Sequence, residues 1–257
     1  SPYHLTLLCK NEEGYKNLIK MVSVGYTEGF YNRPRIDLEL LKKHSSGLVC
    51  LSGCLFGQVA RELVANDYEE AKRIALVYKE IFGEDYYIEI QNHNIAEQKR
   101  ILPLLYRLSE ETNIPLVASN DAHYVNKEDS FIQRILTCIS TNKKLDDENA
   151  LEFSTDEFYI KSPEEMADYF SAVPDAIENT VKIANKYEFE FEFGVTKLPN
   201  YNVPEEFATH EEYFEKLCWD GIRKRYGENP SEEIIERTKY ELGVIIKMGY
   251  TDYYLIV

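Results

Sequence analysis

Short apolar runs alternate with amphipathic stretches over the first two-thirds of the chain, and this alternation sets the fold expectation. Residues 3–9 (Tyr3-His4-Leu5-Thr6-Leu7-Leu8-Cys9) and 48–52 (Leu48-Val49-Cys50-Leu51-Ser52) are apolar runs of strand length. Residues 86–91 alternate at period two, and Pro115 opens a further strand through Leu116-Val117-Ala118-Ser119-Asn120-Asp121. Between these runs, apolar residues recur at helical spacing over about 12–26, 57–64, 67–82 and 96–112. Strands separated by helices predict a parallel sheet with crossover helices, an α/β fold.

From Lys127 onward the pattern turns mainly helical. Ser162-Pro163-Glu164-Glu165 is a strong helix start, because the serine can cap, the proline suits the first turn and Glu165 completes a capping box. That helix is expected to reach about Phe170, and another starts at Pro174 and ends near Tyr187. Residues 188–204 read as an extended connector, since Leu198-Pro199 and Val203-Pro204 disfavour helical backbone, and a domain boundary is placed there. Thr209-His210-Glu211-Glu212 caps a helix through about Tyr226, and Ser231 opens another through Met248. The chain then ends in Tyr253-Tyr254-Leu255-Ile256-Val257, which reads as an apolar strand. Both ends read as cut from a longer protein, because apolar strand residues make poor natural termini.

Composition adds limits. An apolar fraction of 44% in 257 residues is that of a globular protein with room for one large or two modest domains. No apolar run of about eighteen residues occurs and no basic-plus-apolar leader opens the chain, so no membrane segment is expected. Five scattered cysteines without CxxC pairs argue against a disulfide framework or zinc ribbon and suit a reducing cytoplasm. A formal charge of −16, spread along the whole length, repels phosphate backbones, so a nucleic-acid enzyme must carry its main DNA grip elsewhere. The basic cluster Arg223-Lys224-Arg225 reads as solvated helix surface.

The strand ending in Asn120-Asp121-Ala122-His123 carries the first chemical signal. Alternation along a strand points Asp121 and His123 to one side at a strand end, where α/β folds place active sites. A carboxylate and an imidazole held together suit zinc, manganese or iron. The same residues equally serve as hydrogen-bonding groups or helix caps. Further ligands belong on neighbouring strand ends: His4 on the first and Cys54 directly after the second. His4 is equally a satisfied core histidine and Cys54 a small buried apolar side chain. Glu89 is read as a surface carboxylate in preference to a partner behind the ligands. His44, His93 and His210 are read as exposed, and Tyr86-Tyr87 and Tyr253-Tyr254 as packing residues. Asp146-Asp147-Glu148 reads as a solvated helix start. No GxxxxGK[ST], GxGxxG or GxSxG motif occurs, so nucleotide-loop and serine-hydrolase classes lose support.

Taken in order, five segments resemble the bacterial DNA polymerase III α subunits, the replicative polymerases of the DnaE type, along the whole chain. They are His4-Leu5-Thr6-Leu7-Leu8, Ser52-Gly53-Cys54-Leu55-Phe56-Gly57, Asn120-Asp121-Ala122-His123-Tyr124, residues 155–166 from Thr155 to Met166, and residues 240–257. The resemblance implies a polymerase and histidinol phosphatase (PHP) domain over residues 1–187, an incomplete, distorted β/α barrel lacking its N-terminal strands. A connector at 188–206 and a mainly helical start of the polymerase palm at 207–257 follow. It matches His4, Cys54, Asp121 and His123 to four of that domain's metal-ligand positions; the earlier ligands, a His-x-His among them, belong to a segment expected before Ser1. The palm carboxylates that hold magnesium for nucleotidyl transfer are expected beyond Val257. The implied partners are primer-template DNA and dNTPs, with the sliding clamp and replisome subunits, in the cytoplasm and away from membranes. The implied local chemistry is metal-dependent 3′ to 5′ phosphodiester hydrolysis or a structural role. A free-standing PHP-type phosphoesterase is the alternative, and a scaffold that docks a separate exonuclease is a third reading.

Overall fold

A computed structural model describes residues 2–147, 153–195, 199 and 201–257. The chain divides into two compact units, Ser1–Glu190 and Phe191–Val257.

In the first unit, strands β1 (Thr6–Cys9), β2 (Leu48–Leu51), β3 (Tyr86–Ile90) and β4 (Leu116–Ala118) form one sheet in that spatial order. Helices α1 (Glu12–Thr27), α2 (Leu38–Lys43), α3 (Gln58–Val64), α4 (Tyr68–Phe82) and α5 (Ala96–Thr112) fill the connections. Asn11, Asp37 and Asp67 start α1, α2 and α4 by accepting a backbone N–H from the first turn, as short polar caps do. α1 and α4 thus begin where the sequence pattern places them, while the six-residue α2 is too short for that pattern to reveal.

The wholly parallel sheet expected from that pattern is corrected at its first strand. β2, β3 and β4 are parallel, but β1 runs antiparallel to β2, with Thr6 opposite Leu51 and Cys9 opposite Leu48. The β1–β2 connection contains two helices, yet α1 and α2 return the chain to the same end of the sheet, so no crossover is made. Periodicity specifies elements and leaves their direction open.

β2, β3 and β4 are buried on both faces, as parallel strands covered by helices must be. Leu48, Cys50, Tyr86, Ile88, Ile90, Leu116 and Ala118 belong to the larger core with Ile74, Ala75, Ile101 and Leu108. Their alternate neighbours Val49, Leu51, Tyr87 and Val117 pack with Ile183 on the other face. Ile183 belongs to α8 (Asp175–Ala184), which follows α6 (Ser130–Ser140) and α7 (Pro163–Tyr169). Asn179 of α8 donates to the Leu116 carbonyl at 2.7 Å, occupying an acceptor on β4, the last strand of the sheet. Ser162 and Glu165 form the expected capping box of α7.

The second unit contains α9 (His210–Tyr226), α10 (Glu232–Lys247) and α11 (Thr251–Ile256). Thr209 caps α9 as expected. The expected terminal strand is instead α11, which packs on α9 through Phe214 and Tyr254, with ring centroids 5.9 Å apart. Five apolar residues are too few for periodicity to separate strand from helix. Arg223, Lys224 and Arg225 are exposed at the end of α9. No helix among the described residues is long and apolar enough to cross a membrane. Within the connector, residues 196–198 and 200 lie outside the described residues, as does Glu148 of the Asp146-Asp147-Glu148 run. Asp147 accepts the Lys144 amide in an exposed turn.

Candidate functional site

The reversed direction of β1 decides what can meet at the sheet end. His4 precedes β1, whereas Cys54 and Asp121 follow β2 and β4. Were β1 parallel, His4 would lie at the opposite end from both. Because β1 runs antiparallel, His4 instead meets the loop after β2, through an isolated parallel bridge to Gly57 and a 3.0 Å hydrogen bond from the His4 amide to the Phe56 carbonyl.

The loop after β2 closes on His4 because position 53 is glycine. Gly53 has φ +85°, and a Cβ there would lie 2.7 Å from the His4 carbonyl oxygen. In consequence Cys54 Sγ lies 3.5 Å from His4 Nδ1. Burial pushes the Cys54 thiol up, the Phe56 amide draws it back, and the negative charges of Asp121 and Glu89 raise it further. A cation at this position would relieve that accumulated negative charge.

Asp121 and His123 do not sit on a strand. β4 stops at Ala118, and Asp121 takes a left-handed conformation at φ 47° in an exposed turn, so strand alternation does not govern these side chains. The turn orients His123 through the backbone: its Nδ1–H donates to the Asp121 carbonyl at 2.8 Å, which leaves the Nε2 lone pair free for a ligand. The His123 amide donates to the Phe158 carbonyl at 2.7 Å, and its ring meets Phe158 edge-on at 5.3 Å.

The structure thus brings His4 and Cys54 into contact and places Asp121 within electrostatic reach of the thiol. Among the described residues, no group of three or more His, Cys, Asp or Glu side chains is close enough to share one ion. As a donor set, an imidazole, a thiol, a carboxylate and a second imidazole fit a borderline divalent ion.

Two sequence readings are corrected here. Glu89 is not a surface carboxylate: it is buried, accepting from Ser119 Oγ at 2.5 Å, Gln91 Nε2 at 3.2 Å and Thr6 Oγ1 at 3.4 Å. Period two marks it as an outward residue, but β3 lies between two strands and beneath helices on both sides, so no outward face exists. His93 is not exposed either; only 1% of its surface is accessible. Its polar neighbours Asn92 and Asn94 conceal this in sequence, and no local signal reveals the Gln98 and Asn120 partners it acquires. His44 and His210 are half-buried, the former beside Asn17 and the latter paired with Asp252. Tyr86 and Tyr87 are packing residues as expected, while Tyr253 and Tyr254 remain about half exposed.

Comparison with known proteins covers both units. The PHP domain family model matches residues 1–93, which include His4 and Cys54, and the model described as the bacterial DNA polymerase III alpha NTPase domain matches residues 212–257. The DNA polymerase III subunit alpha of Borreliella burgdorferi is 49% identical over 99% of this chain and 22% of its own length. That of Treponema pallidum is 46% identical over the same shares. That of Thermus aquaticus is 36% identical over 96% of this chain and 21% of its own length. The chain therefore spans about a fifth of the relatives it matches, 22% of the first two.

Proposed function

Since the chain belongs to the bacterial DNA polymerase III α-subunit family, we propose that it supplies a PHP domain over residues 1–187, a connector at 188–206 and the start of the polymerase palm at 207–257. In this reading the whole protein carries out DNA-templated nucleotidyl transfer in the cytoplasm. Its partners are primer-template DNA, dNTPs, a sliding clamp and other replisome subunits. The acidic surface here leaves the main DNA grip to other parts of that protein. The relatives match across 99% of the chain, including the helices of the second unit, which a free-standing phosphoesterase has no use for.

The local function proposed is a divalent-metal site at the sheet end, held by His4, Cys54, Asp121 and His123. The observation that supports it is the 3.5 Å approach of Cys54 Sγ to His4 Nδ1, created by an antiparallel β1 and Gly53. When bound, such an ion polarises a phosphodiester and lowers the pKa of a water, the chemistry of 3′ to 5′ hydrolysis. The residues themselves bind and orient: His123 offers Nε2 because Nδ1 is engaged with the Asp121 carbonyl, and Cys54 and His4 present sulfur and nitrogen from adjacent strand ends. Zinc, manganese and iron all suit these donors, with magnesium left to the palm.

The test is Asp121→Asn in the intact subunit. Metal content and 3′ exonuclease rate fall together, while the primer-extension rate stays at the wild-type value. Unchanged metal content in that variant contradicts the site.

A further inference from the structure

The turn bearing Asp121 and His123 is exposed, and what fixes it lies behind it. His93 Nε2 is 2.7 Å from the Asn120 carbonyl oxygen, so that nitrogen carries the proton and donates. Nδ1 then accepts from Gln98 Nε2 at 3.0 Å, and the Gln98 Oε1 accepts the His93 amide at 2.8 Å. The His93 carbonyl accepts from Thr155 Oγ1 at 2.8 Å. Its imidazole stacks on Phe158 at 4.2 Å and 10°, and Phe158 presents its carbonyl to the His123 amide and its ring to the His123 ring. Asn120 is held on its other side as well, donating to the Tyr159 carbonyl at 2.8 Å.

Every polar atom of this buried histidine is therefore engaged, and the ring reaches out of its own loop to the residue immediately before Asp121. We propose that His93 is a positioning residue for the Asp121–His123 turn, its Nε2–H fixing the Asn120 carbonyl and its ring fixing the Phe158 platform on which His123 rests. The proposal rests on the metal reading of that turn for its consequence, though not for its geometry. His93 touches neither the ion nor substrate. It sets where Asp121 and His123 stand before any ion arrives, as groups behind metal ligands do.

Three substitutions separate the donor from the ring. His93→Phe keeps the stack and removes the donor, leaving the Asn120 carbonyl unpaired. His93→Gln places an amide N–H near the ε2 position and restores it. His93→Asn, whose amide falls nearer the δ1 position, replaces the phenylalanine variant if that does not fold.

Two measurements apply to the intact subunit. The first is hydrogen exchange of the His123 and Tyr124 amides in the metal-free protein, since both donate to the Phe158 carbonyl. Exchange there accelerates about tenfold in His93→Phe, as expected for a lost buried partner, and returns toward wild type in His93→Gln, while amides of α4 are unaffected. The second is Co²⁺ titration, in which His93→Phe weakens affinity roughly tenfold. Wild-type exchange at residues 123 and 124 in His93→Phe overturns the proposal, as does acceleration spread evenly over the first unit or failure of His93→Gln to restore protection. Unchanged Co²⁺ affinity in Asp121→Asn and His123→Ala instead removes the metal reading, and the exchange data still decide the role of His93.

Discussion

Lys161 and Glu157 form the most deeply buried ion pair among the described residues of the first unit, with side chains 1% and 6% exposed and Nζ 3.6 Å from the carboxylate. The two are not equivalent. Glu157 also accepts from Lys127 Nζ at 2.6 Å and Tyr169 OH at 2.8 Å. Burial raises the Glu157 carboxyl, but these donors prevail and hold it below the usual carboxylate range. Lys161 has one acidic partner, the Glu157 carbonyl, and Asn120 Oδ1 at 3.5 Å. At this ammonium burial outweighs the attraction of Glu157 and pushes it down. Glu157→Gln leaves a buried ammonium with only the longer-range charge of Glu165 to offset it and is expected to cost about 3–5 kcal/mol. Lys161→Met removes that ammonium's own desolvation, leaves Glu157 with two donors and is expected to cost about 1 kcal/mol. The double variant should be no less stable than Glu157→Gln alone, giving a coupling of about 1 kcal/mol or more. The single tryptophan, Trp219, lies in the second unit, so urea unfolding must be followed by circular dichroism or by exchange of amides in α7. Equal losses in the two single variants, or additive losses in the double, refute this account of the pair.

Other consequences are independent of it. Gly14→Ala would put a Cβ 1.9 Å from the Gly47 carbonyl oxygen, between α1 and the loop before β2, and should cost about 3 kcal/mol in thermal or urea unfolding; a loss below 1 kcal/mol, the scale of an ordinary propensity change, is the contrary result. Burial first, and the charge of Lys161 further, push the His93 imidazole down, although Asn120, Asp121 and Gln98 oppose this. The unfolded chain thus takes up this proton more readily than the folded one, so stability should fall as pH drops below about 6.5, and His93→Phe should flatten that slope. Lys72 and Arg107 hold the Glu111 carboxyl down at about 2. A depressed carboxylate contributes above its unfolded pKa and loses that contribution as pH falls toward 2, so a carbon-detected titration of Glu111 should show no midpoint near 4.

Much of this was legible in sequence where the cause is local. The caps at Ser162 and Thr209 and the helices over 67–82 and 96–112 follow from residues within a few positions of one another. Strand direction, Glu89 and His93 were not legible, because each is decided by what packs from elsewhere in the chain. The α1–α2 return reverses β1, covering helices remove the outward face of β3, and Gln98, Asn120 and Phe158 enclose a histidine set between two asparagines. The four candidate ligands show both sides of this. Their residue types and strand-end positions can be read, but only the antiparallel β1 explains why His4 shares an end with Cys54, and only the turn after Ala118 explains how His123 is aimed.

Metal coordination tests the central claim most directly. X-ray absorption on the zinc-loaded intact subunit, wild type beside Cys54→Ser, reports whether sulfur is bound to the ion. The account predicts a sulfur ligand at about 2.3 Å in the wild type that is lost in the variant. A wild-type spectrum with nitrogen and oxygen ligands alone, or one unchanged by Cys54→Ser, contradicts a site built on the His4–Cys54 contact.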